Sequence, residues 1–352
     1  MKHIPMSQNK GPAEEVSIAS DESKIGIERI MMVTMIDFSA TEIRVYDDAS
    51  INDCVRPTDS TLIRWVHLKG LQDRQLVEQI GRQFGIHPLL VEDILNTEHR
   101  PKLDADPDQF CLILREFRST SSVQMESEQV SVIVGSGFVL SFQESDIDFF
   151  SHIRQRLSNP KSRVRNSKSD FLGYLLIDAL VDRYIAVMDS FDDRIQALED
   201  ALDSWDKTTL NEIYRLRHLM GVFQRTVRPL REAVSRLIRD ESEIVMETSQ
   251  PYLRDLNDHL LHVGEMADAY LDNLSNMLEI HLLRLDTKTN ETVKVLTVVS
   301  TILMPLTLIA SIFGMNFQNM PFQLEYAYPL VVLTMTVIGM VFLFYFRKRH
   351  WI

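Results

Sequence analysis

The chain has 352 residues, 45 % of them apolar and 8 % aromatic, with a formal net charge of −13. This composition supports a packed core and excludes global disorder. The acidity excludes nucleic acid as the main partner, because a phosphate backbone binds basic surfaces, and it suits a surface that gathers cations. Two cysteines, Cys54 and Cys111, stand in unrelated contexts. They give neither a disulfide framework nor a structural zinc site, and a reducing cytosol is the expected surrounding of the soluble part.

Residues 1–27 read as a polar tail without the apolar stretch of a signal peptide. Residues 28–165 read as a mixed α/β domain. Positions 30–45 are strand-like, and 62–68 (LIRWVHL) alternate at period two. Positions 71–84 have helical spacing, and 110–117 form another strand candidate. Residues 130–134 and 138–142 flank Gly135-Ser136-Gly137, which predicts a hairpin turn.

Beyond position 165 the spacing becomes helical, and residues 166–250 read as an acidic helical hairpin. Asp182, Asp189, Asp192, Asp193, Glu199, Asp200, Asp203 and Asp206 crowd its first run. Such a run is usually a solvated face, and the alternative is weak concentration of cations. The second run, 208–240, reads as broken by Pro229. A third run, 251–313, has no proline after Pro251 until Pro305. About 60 residues at 1.5 Å rise make a rod of roughly 90 Å, the length of a stalk that enters a membrane.

Residues 295–313 and 326–346 each meet the length of roughly 20 apolar residues needed to cross a bilayer. From Val295 to Phe346 the only charged side chain is Glu325. Phe322, Tyr326 and Tyr328 cluster at the start of the second span, and Tyr345 and Trp351 mark its end. Lys288 and Lys294 precede the first span, and Arg347, Lys348 and Arg349 form a basic tail (347–352) after the second. The positive-inside rule puts both ends in the cytosol and the 314–325 loop outside. Two spans cannot enclose a water path alone, so a pore requires several copies around an axis.

Three- and four-residue steps along the first span pass through Asn290, Val293, Thr297, Ser300, Met304, Thr307, Ser311 and Gly314. The stripe by itself fits helix packing and a water-lined path equally. It carries neutral oxygens but no carboxylate or histidine. Neutral oxygens can bond the water shell of Mg²⁺, which dehydrates reluctantly, whereas a carboxylate ring would hold the ion too tightly for exit. Leu296 and Met304 are candidate apolar constrictions. Pro305 frees a carbonyl near Thr301, or is an ordinary membrane-helix proline. His259 and His262 lie three apart on the stalk and can share a face. No phosphate loop, GxSxG elbow or HExxH motif occurs, which argues against an enzyme.

The segments TNETVKVLT (289–297) and MPLTLIASIFGMNFQNMP (304–321) and the ending YFRKRHWI resemble the CorA family of magnesium transporters. So do LVEDILN (90–96), ESEQVSVIV (126–134), LIDALVDRY (176–184) and PYLRDLNDH (251–259). The resemblance implies an α+β chain, a cytosolic α/β domain followed by long stalk helices and two C-terminal transmembrane helices, assembled as a funnel-shaped homopentamer in the cell (inner) membrane. It implies Mg²⁺ as both transported and regulatory ion, with Co²⁺ and Ni²⁺ also carried. Gly314, Met315 and Asn316 would form the selectivity mouth, and Asn290, Leu296, Met304 and Thr307 match the family's pore positions. Glu92, Asp93, Asp178 and Asp255 would bind regulatory metal between subunits. Phe313 stands where tyrosine is common, and Phe322 stands where the family usually has glutamate. Two alternatives remain: a Zn²⁺ or Co²⁺ transporter of the same fold, and a non-conducting membrane-anchored cation sensor.

Overall fold

The computed structural model describes residues 32–121, 124–200, 207–239, 244–315 and 326–351. The tail 1–27, Asp203, Asp206, Asn316, Phe322 and Glu325 lie outside the described residues. Seven strands form one sheet: β1 (Met32–Phe38), β2 (Ile43–Tyr46), β3 (Ile63–Lys69), β4 (Lys102–Asp106), β5 (Gln109–Ser121), β6 (Gln124–Gly135) and β7 (Phe138–Gln143). Their spatial order is β2-β1-β3-β7-β6-β5-β4, antiparallel except where β3 runs parallel to β7. Period-two alternation sends Val130, Val132 and Val134 of β6 to one face and Ile133 to the other.

Helices α1 (Arg74–Phe84) and α2 (Pro88–Leu95) cover one face. There Val77, Ile80, Phe84, Val91 and Ile94 pack against Val66, Leu68, Leu140 and Phe142. The other face carries α3 (Ser151–Ser158), α4 (Ser169–Asp200) and α5 (Lys207–Arg239), and α6 (Gln250–Phe313) packs on α4 and α5. Each fully buried aliphatic or aromatic side chain in these layers contributes about 1.5–3 kcal/mol. α4 approaches β6 closely at Gly173, where a Cβ would lie 2.3 Å from Val134 Cγ2. α7 (Ala327–Lys348) packs on the last third of α6.

Three expectations change in detail, and two short helices were not expected. The strand expected over 30–45 is two strands, because Ser39 Oγ accepts the Thr41 and Glu42 amides and turns the chain. The helix expected from 71 starts at Arg74, because the Asp73 carboxylate accepts the Leu76 amide at 3.1 Å and caps it. α2 and α3 are too short for a clear helical period. α5 runs unbroken through Pro229. Proline removes one amide donor, and the carbonyl it leaves, on Arg225, belongs to an exposed residue where water can serve it. The expected hairpin turn is present: Gly135 pairs with Phe138, and Gly137 takes φ 77°.

Two polar devices hold the layers, one tying a strand to a helix and one tying two strands. Glu116, fully buried on β5, receives Arg183 of α4 at 2.6 Å and Arg118 at 3.3 Å, and Arg118 also reaches Glu128 at 3.3 Å. Burial pushes the pKa of both glutamates up, against the pull of these arginines. Deeper under α3, Ser141 Oγ accepts from Trp65 Nε1 at 2.9 Å and lies 2.7 Å from His67 Nδ1. Complete burial lowers the His67 pKa from 6.5 to about 3.

The neutral imidazole is therefore the folded form, while the unfolded chain takes up a proton below pH 6.5. Stability is full above that value and falls as pH drops towards 3, by roughly 5 kcal/mol for this one group. In chemical denaturation between those limits, His67→Asn, which retains an acceptor for Ser141, is expected to lose stability less steeply than the parent protein.

Candidate metal cluster and membrane face

α4 runs alongside α6 in the same direction: Asp178 and Asp182 meet His259, and further along Glu199 accepts from Asn273 at 2.7 Å. Asp178 and Asp182 are four apart, so one helical face presents both carboxylates. The ligand atoms of Asp178, Asp182 and His259 all lie within 4.8 Å of one another. Asp255, one turn before His259, sits 3.9 Å from its Nε2. Burial raises the Asp178 pKa, and the neighbouring charge of Asp182 adds to it. The Tyr174 hydroxyl touches Asp178, and its own pKa is raised by burial and then by that carboxylate. Two carboxylates and an imidazole offer a divalent cation three ligands, and the cation would remove the repulsion between the acids.

Of the four expected regulatory residues, the structure brings Asp178 and Asp255 to this cluster. Glu92 and Asp93 are not there: they sit on α2, across the sheet from α4 and α6. Glu92 is exposed, whereas Asp93 already pairs with Lys102 and with His99 Nε2 at 3.1 Å. The structure adds Asp182 and His259. The signal for them was the repeated four-residue spacing, Asp178–Asp182 on one helix and Asp255–His259 on another. His262, expected to share a face with His259, is not part of the cluster.

The membrane segments show a second arrangement. Val298, Thr301, Ile302, Pro305, Ile309 and Phe313 form the less accessible seam of α6 in its α7-contacting part. Asn290, Val293, Thr297, Ser300, Met304, Thr307, Ser311 and Gly314 are all exposed. At about 100° per residue their mean direction lies roughly opposite that seam. Leu296 and Met304 are 65 % and 71 % exposed on the same side. Thr297 Oγ1 donates to the Val293 carbonyl at 2.7 Å, and Thr307 Oγ1 donates to that of Met304 at 2.9 Å. With their protons committed to backbone, these hydroxyls present lone pairs outward. Such acceptors suit the outward hydrogens of a hydrated cation.

Gly314 closes α6, its amide bonding the Ala310 carbonyl at 3.0 Å, and Met315 follows exposed. At the far end of α7, Arg347, Lys348 and Arg349 are exposed at the helix C-terminus, where the helix dipole favours cations. His350 takes φ 56°, and Trp351 folds back to stack on Phe346, with its amide on the Phe346 carbonyl at 3.0 Å. This cap ends the helix just after its basic residues.

A three-layer α/β unit, a 64-residue helix whose last part is apolar enough to cross a membrane and a second such helix fit a two-span membrane protein. The family described as "CorA-like Mg2+ transporter protein" matches residues 61–348, and the chain belongs to that family. It is thus a divalent-cation transporter rather than an enzyme. The cobalt/magnesium transport protein CorA of Thermotoga maritima is 35 % identical over 323 residues, covering 91 % of this chain and 92 % of its own. The complete structure of the CorA magnesium transporter from Methanocaldococcus jannaschii superposes with a TM-score of 0.78 at 21 % identity, covering 92 % of this chain and 99 % of its own. The zinc transport protein ZntB of Vibrio parahaemolyticus is 26 % identical over 234 residues, covering 66 % of this chain and 71 % of its own.

The cluster generates a binding prediction. In calorimetric titration, Asp182→Asn and His259→Ala are each expected to weaken Co²⁺ binding at least about tenfold, the cost of one lost ligand. Because Asp178 holds its proton to a higher pH than an ordinary aspartate, binding should weaken on acidification earlier than at an ordinary carboxylate site. Unchanged affinity in both variants would remove these side chains from the metal site.

Proposed function

We propose that several copies of this chain, five by the family resemblance, pool one α6 each around an axis and conduct Mg²⁺ into the cytoplasm, with Co²⁺ and Ni²⁺ also carried. The supporting observation is the exposed oxygen stripe of α6, turned away from α7. A lipid-facing stripe would be apolar, whereas one facing partner copies and water carries hydroxyls and amides. The soluble unit, both termini and Arg347–Arg349 lie on the cytoplasmic side of the cell (inner) membrane. A divalent ion then gains roughly 4.6 kcal/mol per 100 mV of potential.

The ion enters hydrated at Gly314-Met315-Asn316. The Asn316 amide and neighbouring carbonyls bond its water shell. Further in, Ser311, Thr307, Ser300, Thr297 and Asn290 hand the hydrated ion along as acceptors, without the tight grip of carboxylates. Met304 and Leu296 narrow the path, and an apolar ring closes by dewetting. Cytoplasmic Mg²⁺ regulates. Glu92 of one copy meets Asp255 and the Asp178 cluster of the next, and the ion bridges acids that otherwise repel. The separation of these residues across the sheet supports this reading, because only a second copy can bring them together. Depletion releases the bridge and shifts the population towards the open state. Asp93, paired with Lys102 and His99, would have to exchange partners to join.

A second reading takes Zn²⁺ or Co²⁺ as the main cargo, favoured by the imidazole in the cluster, which suits transition metals. The α6 stripe has no imidazole or thiolate to select them. Uptake into proteoliposomes tests both. Parent protein should carry Mg²⁺ and be blocked by cobalt hexammine, a mimic of a hydrated ion. Asn316→Ala should lose nearly all flux while assembling normally. Equal flux in the two proteins would remove Asn316 from the mechanism, and tight liposomes with parent protein would leave a cation sensor. Thr307→Val, which removes an acceptor but preserves shape, should lower Mg²⁺ flux, whereas Ile309→Val on the α7 seam should not.

A further inference from the structure

α4 and α5 carry opposite charge. α4 has eight carboxylates against two arginines, a net of −6, and α5 has eight basic side chains against two glutamates, a net of +6. Most of each charge set is exposed, buried Asp170 and half-buried Asp178 and Arg215 excepted. On α5, Arg217, Arg225, Arg231, Arg236 and Arg239 are all exposed, and none is ion-paired within the described residues. On α4 the exposed acids include Asp182, Asp189, Asp193 and Asp200. α4 lies over β5, β6 and β7, and α5 lies nearer the β4 edge. The basic helix thus lies towards the β4 edge of the helical layer and the acidic helix over its middle strands.

Their heights along the stalk match. α5 runs antiparallel to α6, with Ser235 on Asn257 at 2.7 Å and Arg228 on Asp268 at 2.9 Å. α4 runs parallel to α6, with its Asp178 and Asp182 at His259 and Glu199 at Asn273. Arg231 is thus level with Asp189, Arg225 with Asp193, and Arg217 with Asp200. Along the matched stretch the acids from Asp189 to Asp200 span about 17 Å and the arginines from Arg217 to Arg231 about 21 Å.

Copies of a membrane protein are related by rotation about the membrane normal, which preserves height. In a ring every interface joins one flank of a copy to the other flank of the next. Equal heights then place the arginines of one copy opposite the acids of its neighbour. We propose that the exposed arginine face of α5 docks on the acidic face of α4 of the adjacent copy. This rests on the oligomeric reading above. Contact of α5 with α5 would set arginine against arginine and is repelled, which biases assembly towards a head-to-tail ring. Lipid headgroups are the weaker candidate. Arg217 lies level with residue 275, about 30 Å short of the apolar span at 295, well beyond the roughly 8 Å Debye length.

Cysteine pairing tests the docking. Cys54 and Cys111 are buried, so exposed cysteines can be placed one per chain. Chains with Arg225→Cys are co-expressed with differently tagged chains carrying Asp193→Cys, purified as the mixed assembly in detergent, and treated with a short bis-maleimide. The expected product is a covalent dimer containing both tags, formed several-fold more than from either variant alone, and reduced when cross-linking is done at about 0.5 M rather than 0.05 M salt. Light scattering before cross-linking gives the assembly mass, and thermal melting confirms that both variants fold. A multimeric mass without the two-tag product overturns the docking and leaves the oligomer standing. A single-copy mass overturns both. As a second arm, Arg225→Asp with Arg231→Asp should lower the salt concentration at which copies separate, and adding Asp189→Arg with Asp193→Arg should restore it. Loss without restoration counts against the pairing.

Discussion

The structure depends on one unbroken hydrogen-bonded helix that serves two solvents. α6 buries Leu253, Leu256, Leu260, Val263, Ala267 and Leu274 against the soluble bundle, and its later residues are almost all exposed. In hydrocarbon every backbone amide must be satisfied within its own segment, and helix is the one form a single segment can use. Continuing the same helix through the bundle means that the carboxylate–imidazole cluster at His259 and the oxygen stripe from Asn290 to Gly314 share one stiff body. A tilt or rotation of the bundle is therefore a tilt or rotation of the membrane segment.

The sheet is a partition as much as a core. Its two faces carry separate apolar clusters, one under α1 and α2 and one under α4, α5 and α6. Residues whose carboxylates would cooperate in binding metal are thereby held apart within one chain, Glu92 on one side and Asp178 on the other. The buried Glu116–Arg183 pair fastens α4 to β5, so the distance across the partition is not easily changed. Glu116 is fully buried while Arg183 is partly exposed, so losing the arginine would leave a buried carboxylate with a weaker complement of charge, which ties the sheet and α4 together. In the regulation proposed above, the change would then fall between copies rather than within one.

Much of this was legible in the chain. The two spans, the stalk and the polar stripe depend on composition and period along a single helix, and a one-dimensional pattern records them fully. The Gly135-Ser136-Gly137 hairpin was legible for the same reason, since a two-residue turn depends on local backbone freedom. Pro229 misled because the cost of a proline is decided by whether water can reach the stranded carbonyl, and exposure is not written at that position. Asp182 was legible only as one member of an acidic run. Its role beside His259 comes from the pairing of two helices about 75 residues apart.

The sequence by itself determined which segments are long and apolar enough to cross lipid, how long the stalk helix is and which oxygens share a helical face, because each follows from side-chain chemistry repeated along one helix. The tertiary structure alone decided that α7 covers the side of α6 opposite those oxygens. It alone decided that two four-residue spacings on separate helices converge on one point, and that Glu92 and Asp93 stand across the sheet from it. These are relations between elements remote in sequence, fixed by how apolar faces pack, and no pattern within a single element contains them.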